Sequence, residues 1–139
     1  TVMGDAVNQA ARFEPTNKVY GTDIMIGQST YELAKAHIEA RLLDLIVVKG
    51  KTEPIKCYEL IAKKGRATAE QLEIISLYEQ GLQLHWERKW EEALDAFRRI
   101  LHIATDDGPA KTMIERVEGY KDNPPPEAWQ GEYVRTSKD

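Results

Sequence analysis

The sequence has little cysteine, no long apolar run and little net charge, and each of these features excludes a class of protein. Its single cysteine, Cys57, rules out an internal disulfide and is compatible with a reducing cytosol. No apolar run approaches the ~20 residues of a membrane-spanning helix, and no signal peptide is visible. The net charge of −4 argues against broad nucleic-acid binding. We therefore expect a cytoplasmic protein whose segment here contacts neither nucleic acid nor a membrane.

The composition is that of a globular protein, and the chain begins at Thr1 without an initiator methionine. Of its 139 residues, 42% are hydrophobic and 30% are charged, which suits one ordinary domain or two small ones. Cys57 lies in an alternating strand pattern and has no histidine nearby in sequence, so a core residue is favoured over a nucleophile. From the abrupt start we expect that the chain is part of a longer protein.

Residues 1–62 have the pattern of a mixed α and β unit. Helical spacing of apolar residues predicts two helices, over residues 5–13 and 30–37. Short apolar runs predict three strands, over residues 23–27, 40–48 and 56–62. Asp5 and Ser29 are the expected N-caps of the two helices, and Pro15 is expected to end the first helix or to lie in its last turn. Gly50 and Pro54 indicate a turn that makes the last two strands an antiparallel hairpin.

Two groups of residues in this unit suggest phosphate chemistry. Asn8 and Arg12 are four residues apart and share a helix face, where they can hold a ribose oxygen and a phosphate. Arginine offers a planar fork of donors that keeps its charge, which suits a phosphoryl-transfer transition state. Lys49 and Lys51 flank Gly50 at the hairpin turn, where two ammonium groups can face a polyphosphate. Taken separately, each group is also compatible with an ordinary solvated surface or a protected sheet edge.

Taken together, the two groups resemble a known family. Residues 4–14 (GDAVNQAARFE) resemble the segment of class III adenylate and guanylate cyclases that carries their transition-state residues. Residues 48–51 (VKGK) resemble the triphosphate-binding turn of that family, at a fitting separation. The resemblance covers about residues 1–62. It implies a partial ferredoxin-like cyclase catalytic domain. Together with the small all-α, tetratricopeptide-like region expected after it, the chain is predicted to have an α+β fold class.

The resemblance also implies roles for individual residues. Asn8 would orient the ribose, and Arg12 would stabilise the α-phosphate as the 3′-hydroxyl attacks it. Lys49 would bind the terminal phosphates, while Lys51 would bind them or only shape the turn. Thr1 falls where the family places a base-selecting residue, and a threonine there favours ATP. The expected reaction is the conversion of ATP to cyclic AMP and pyrophosphate, and a guanylate cyclase remains an alternative if Thr1 is not at that position.

The resemblance further implies a metal ion and a second subunit. The family binds Mg²⁺ or Mn²⁺ through two aspartates, and no residue of this chain corresponds to them, so no metal ligand is assigned here. The family also builds its site across a dimer interface. We therefore expect the intact enzyme to need Mg²⁺ or Mn²⁺, the isolated chain to be inactive, and the chain to self-associate, as a homodimer in the intact enzyme. A parent protein with a membrane anchor is compatible with this interpretation.

A linker at residues 63–69 separates this unit from residues 70–139, which are predicted to be helical with an irregular tail. Residues 74–107 resemble one tetratricopeptide repeat, with Gly81, Ala93 and Phe97 at the positions where two helices pack closely. Pro109 is placed to open a third helix. The extension is predicted either to act as a protein-interaction or dimerisation module or to pack as an appendage on the cyclase unit. Trp86 and Trp90 are expected to cover the core at the turn between the first two helices.

Overall fold

The computed structural model describes residues 14–47 and 52–134, in which a four-stranded sheet packs against helices. The predicted α+β class is therefore confirmed. In chain order the elements are α1 (Glu14–Tyr20), β1 (Met25–Gly27), α2 (Gln28–Ala34), β2 (Ile38–Val47), β3 (Ile55–Lys63), α3 (Ala69–Trp86), α4 (Trp90–Ile103), α5 (Gly108–Asp122) and β4 (Glu132–Val134).

The predicted hairpin is confirmed and carries a bulge near its middle. β2 and β3 pair antiparallel, with Leu42 opposite Tyr58 and Asp44 opposite Cys57, so that Leu43 is an extra residue in β2. A bulge of this kind interrupts the alternation of side chains between the two faces of a sheet. As a result, the consecutive residues Leu43 and Asp44 are both fully buried. The bulge thereby places a carboxylate inside the core.

The order of the strands is β1-β3-β2-β4, and β4 comes from the tail of the chain. β4 lies parallel to β2, with Leu45 opposite Glu132 and Val47 opposite Val134. The tail was predicted to be irregular, because three residues are too few for a visible alternation of apolar and polar side chains. Its pairing with β2 brings the end of the helical region back to the sheet.

The sheet and the helices share one hydrophobic core. A single cluster of buried side chains contains Leu43 and Ile46 from β2 together with Leu82, Phe97 and Met113 from the three long helices. Tyr78 on α3 adds a directional contact, because its hydroxyl donates a 2.8 Å hydrogen bond to the carbonyl of Leu43. The boundaries proposed at residues 62 and 69 stay a prediction, but the helices on the far side pack on the sheet rather than apart from it.

The long helices begin and pack for recognisable local reasons. Thr68 and Gln71 form a capping box at the start of α3, and Asp107 caps α5, in which Pro109 occupies the first turn as predicted. α3 and α4 approach closely at Gly81, where an added Cβ would lie 2.8 Å from the ring of Phe97. The close contact expected at these two residues is confirmed, while the likeness to a tetratricopeptide repeat stays a prediction.

One local expectation is wrong, and one stays a prediction. Ser29 does not cap α2, because that helix begins at Gln28, two residues before the predicted start, and its N-cap is Gly27, which has no side chain to accept a hydrogen bond. The helix predicted over residues 5–13, which Pro15 is expected to end or to occupy in its last turn, lies outside the described residues, so that expectation stays a prediction. Pro15 itself lies within α1, which continues to Tyr20. Proline is tolerated in the first turn of a helix, where its missing N–H has no intrahelical acceptor to lose.

Candidate functional site

The five residues predicted to act on nucleotide lie outside the described part of the chain. Thr1, Asn8 and Arg12 precede α1 in the sequence, and Lys49 and Lys51 fall between the end of β2 and the start of β3. Their roles stay predictions, as does the N-cap at Asp5. What the structure describes is the set of elements attached to them: the helix that follows Arg12 and the two strands on either side of the lysines.

A buried carboxylate ties these attached elements together. Asp44 on β2 is 0% exposed and accepts three hydrogen bonds. The hydroxyl of Tyr20, at the end of α1, donates to Oδ2 over 2.8 Å, and the Nη1 of Arg116 on α5 donates to the same oxygen over 2.5 Å. The backbone N–H of Leu45 donates to Oδ1 over 2.8 Å. One carboxylate therefore joins α1, β2 and α5.

The electrostatics of this cluster depend on burial and on the close cation. Burial raises the pKa of the Asp44 carboxyl, and the Arg116 guanidinium and the Tyr20 hydroxyl oppose that rise. Burial also raises the pKa of Tyr20 well above its usual value, so its hydroxyl remains a donor at neutral pH. Burial works against the charge of Arg116, but neighbouring Tyr20 and Asp44 outweigh it and raise the arginine's pKa.

Aromatic rings enclose the guanidinium of Arg116. Its central carbon lies 3.9 Å from the ring centroid of Tyr133 on β4 and 5.4 Å from that of Tyr20. The two tyrosine rings meet edge to face, with centroids 6.4 Å apart. Cation–π contacts of this type are strongest when water is excluded. The tail strand therefore covers the charge pair and belongs to the same cluster.

A second buried charge cluster joins the sheet to the start of α5. Arg41 on β2 is buried and donates to Glu59 on β3 over 2.9 Å through Nε and over 2.6 Å through Nη2. Its Nη1 and Nη2 also donate to the two carboxylate oxygens of Asp107, each over 2.9 Å. Burial raises the pKa of Glu59, and the charge of Arg41 opposes this. The first turn of α5 is thereby fixed to the middle of the hairpin.

The backbones of α1 and α5 also touch directly. The hydroxyl of Thr112 donates a 2.9 Å hydrogen bond to the carbonyl of Val19. Gly108 lies so close to the end of α1 that an added Cβ would come within 2.6 Å of the Tyr20 carbonyl oxygen. Glycine at position 108 is therefore required for this approach of the two helices.

An aromatic cluster closes the far end of the helices. The ring of His85, at the end of α3, has its centroid 5.2 Å from that of Trp129, 5.7 Å from that of Trp90 and 5.8 Å from that of Tyr120. Its Nδ1 is buried without a hydrogen-bond partner among the described residues. Burial, helped by the charge of Arg116, lowers the pKa of His85 to about 3. The cluster thus holds a neutral histidine. The expected packing of Trp86 and Trp90 against the core is confirmed, because both are partly buried and contact the main hydrophobic cluster.

The sequence interpretation did not identify Asp44, Arg116 or Tyr20 as a group. One signal was available, since Asp44 is the one charged residue in the otherwise apolar run of residues 42–48, where a partner is required. The identity of that partner was not readable, because Arg116 is 72 residues further along the chain. Within residues 14–47 and 52–134, no group of three or more histidine, cysteine, aspartate or glutamate side chains is arranged to hold a metal ion. In the same ranges, no helix has both the length and the apolar character needed to cross a bilayer.

Comparisons with known proteins identify a relationship to adenylate cyclases. The chain is 35% identical over 120 residues to the "Adenylate cyclase, terminal-differentiation specific" of Dictyostelium discoideum, which covers 84% of this chain and 6% of that protein. It is 45% identical over 65 residues to an adenylate cyclase of Anabaena cylindrica, which covers 45% of this chain and 13% of that protein. It is 34% identical over 61 residues to adenylate cyclase 1 of Rhizobium meliloti (strain 1021), which covers 44% of this chain and 9% of that protein.

These similarities differ in how much of the chain they include. Because the Dictyostelium match takes in 84% of the chain, it must extend from the sheet into α5 wherever it begins. No family model matches the chain. No solved structure matches it either. The chain spans only 6% to 13% of the length of the relatives it matches. It is therefore related in sequence to a short segment of each of three proteins named adenylate cyclase.

Proposed function

We propose that this chain is the C-terminal part of the catalytic domain of a class III adenylate cyclase, followed by a helical extension. In the complete protein it would help to convert ATP to cyclic AMP and pyrophosphate for signal transduction. The observation that carries the proposal is the similarity to the Dictyostelium adenylate cyclase, which includes both the sheet and the extension. The resemblance of residues 4–14 and 48–51 to the family's two phosphate-handling segments supports it further.

The proposed site assigns one task to each predicted residue. Asn8 orients the ribose, and Arg12 donates to the non-bridging oxygens of the α-phosphate as charge builds there in the transition state. Lys49, with Lys51, holds the terminal phosphates at the hairpin turn. Thr1 contacts the base and favours adenine, and a guanylate cyclase is the alternative specificity. Each assignment rests on the resemblance and on the chemistry of the side chain.

The proposal includes a metal ion and a partner. Mg²⁺ or Mn²⁺ would activate the 3′-hydroxyl and carry phosphate charge, and no residue of this chain matches the family's metal-binding aspartates. We therefore expect no cyclisation of ATP by the isolated 139-residue chain. We expect it to associate with a second copy, since the family builds its site from two subunits. Activity of the purified chain with Mn²⁺ would contradict this part.

The test of the function is Arg12→Ala in a protein that carries this chain together with a whole catalytic domain. Loss of the guanidinium is expected to lower kcat by about 100- to 1,000-fold, because a preorganised donor to the transition state is removed. Arg66→Ala is the matched control, because Arg66 is exposed in the segment between β3 and α3 and should leave kcat unchanged. Equal kcat values for the wild type and Arg12→Ala would disprove the proposal.

The rival function is a protein-interaction module in the helical extension. The packing of the three long helices argues against this function. The apolar faces of α3, α4 and α5 are already buried in the core shared with the sheet, so they are not available to a partner. A partner would have to bind outer faces, where Leu72 on α3 is one of few large apolar residues that the described chain exposes. The first function is therefore preferred, with the extension as a structural part of the cyclase unit.

A further inference from the structure

α5 contacts both elements that lead to the proposed nucleotide site. Tyr20 ends the helix that follows Arg12, and Asp44 lies on β2, five residues before Lys49. Arg116 donates to Asp44 and lies 3.5 Å from the Tyr20 hydroxyl, so one side chain of the extension meets both. We propose that Arg116 is a positioning residue, which acts through Asp44 and Tyr20 to hold α1 against β2. The inference rests on the proposed function, because that function places the transition-state residues before α1 and the phosphate-binding turn after β2.

The contacts between Arg116, Asp44 and Tyr20 are directional hydrogen bonds and not apolar packing alone. Oδ2 of Asp44 accepts both the Tyr20 hydroxyl and the Arg116 guanidinium, so a movement of α1 relative to β2 would break a buried hydrogen bond. A buried ion pair adds little net stability over apolar side chains of similar volume. It does fix the separation and angle of its partners, since buried donors and acceptors are costly to leave unpaired. Fixed geometry matters for catalysis because small misplacements of reacting groups reduce rates strongly.

Other contacts of α5 fix the position of the helix backbone that carries Arg116. Asp107 holds the first turn of the helix to Arg41, and Thr112 holds the second turn to the Val19 carbonyl. Tyr133 covers the guanidinium from the side of β4. Arg116 thus lies on a helix that is held at two points, and its guanidinium packs against an aromatic ring. Both restrict the movement of the charged group.

The variant that tests the tie must not leave a buried charge behind. Arg116→Met alone strands the Asp44 carboxylate without its cation, which can unfold the chain. The double variant Asp44→Asn with Arg116→Met removes both charges together and keeps the volumes close to those of the wild type. Arg98→Met is the matched control, because Arg98 forms an ion pair with Glu118 that also joins two helices but is exposed, with 51% of the arginine side chain accessible.

The first readout is hydrogen exchange of backbone amides in the 139-residue chain. In the double variant, amides of α1 are expected to exchange about tenfold faster or more than in the wild type, while those of the α3 core keep their protection. The control should match the wild type throughout. Unchanged exchange in α1 would overturn the inference, and so would an equal loss of protection in α1 and α3, which would show a general loss of stability.

The second readout separates this inference from the proposed function. In the complete catalytic protein, the double variant is expected to lower kcat by about tenfold or more with little change in KM, because reacting groups are misplaced while binding contacts remain. Faster exchange in α1 with an unchanged kcat would overturn the positioning role. If Arg12→Ala has no effect on kcat while α1 is loosened in the double variant, the proposed function fails and the physical tie stands by itself.

Discussion

The guanidinium of Arg41 forms a bidentate pair with the carboxylate of Asp107, through two hydrogen bonds of 2.9 Å each. Asp107 has a second task, because its Oδ2 accepts the backbone N–H of Ala110 and so caps α5. One carboxylate thus starts the helix and fixes it to the sheet. The position and direction of α5, and with it the place of Arg116, depend on this pair.

Replacing Asp107 with alanine is therefore expected to destabilise the chain markedly. The change removes an N-cap and breaks a largely buried ion pair, and together these should lower the free energy of unfolding by about 2–5 kcal/mol. Asp107→Asn should cost less, because asparagine is also a good N-cap and loses only the charge. Unfolding in urea, followed by circular dichroism, measures the difference.

Asp106→Ala is the control for this pair of variants. Asp106 is the preceding residue, and its side chain is 97% exposed in an ion pair with Lys111. An exposed pair contributes little, so the free energy of unfolding should change by less than about 1 kcal/mol. Similar losses for the alanine variants at positions 106 and 107 would refute the role assigned to the buried pair.

The contact of α3 with α4 gives a prediction about packing. Alanine in place of Gly81 would put a Cβ 2.8 Å from the Phe97 ring, so the helices must separate or the ring must move. Overpacking of this kind should cost about 1–3 kcal/mol. Gly119→Ala is the matched change on α5, where nothing lies within 4 Å of the added atom. It should stabilise the chain by about 0.5–1 kcal/mol, because alanine is the better helix former.

Thermal and chemical unfolding of the two glycine variants tests this contrast. A smaller side chain opposite Gly81, as in Gly81→Ala with Phe97→Leu, should recover part of the lost stability by making room for the added methyl group. If Gly81→Ala and Gly119→Ala shift the unfolding midpoint in the same direction, the close contact does not control packing at this point.

Local patterns in the sequence predicted most elements of the fold. The hairpin followed from two apolar runs around Gly50 and Pro54, and α5 followed from Pro109, because such signals lie within a few residues of one another. The strand β4 was missed because three residues carry no readable period and are ordered by their pairing with β2. The expectation that Ser29 caps α2 is wrong, because the extended Gly27 already serves as the N-cap of that helix.

The same distinction applies to the candidate site, where contiguous segments could be read from the sequence and contacts between distant residues could not. The predicted nucleotide residues came from a resemblance of contiguous segments, which requires no knowledge of the fold. The ion pair between Asp44 and Arg116 joins positions 72 residues apart. Tyr20, which also donates to Asp44, is on a third element. No single window of sequence contains such a cluster, because the bulge at Leu43 and the packing of α5 create it.

The buried histidine gives a prediction about acid stability. His85 is 1% exposed, and burial lowers its pKa from 6.5 to about 3 in the folded chain. Between these two values the unfolded chain binds a proton that the folded chain does not, so acid favours unfolding. The stabilisation is therefore complete above pH 6.5 and is lost as the pH falls toward about 3, with a slope of at most about 1.4 kcal/mol per pH unit from this group.

Urea unfolding at several pH values between 4 and 7 measures this slope in the wild type and in His85→Phe. Phenylalanine keeps a ring among Trp90, Tyr120 and Trp129 but binds no proton, so its stability should fall less steeply with acid. His37→Gln, at an exposed position, should leave the wild-type slope unchanged. Parallel pH curves for the wild type and His85→Phe would mean that other groups, such as buried carboxylates, govern the acid limb. If the free energy of unfolding falls less steeply with acid in His85→Phe but not in His37→Gln, the loss of stability at low pH is due to the buried neutral histidine. Both variants lose one imidazole, and only the imidazole of His85 is buried.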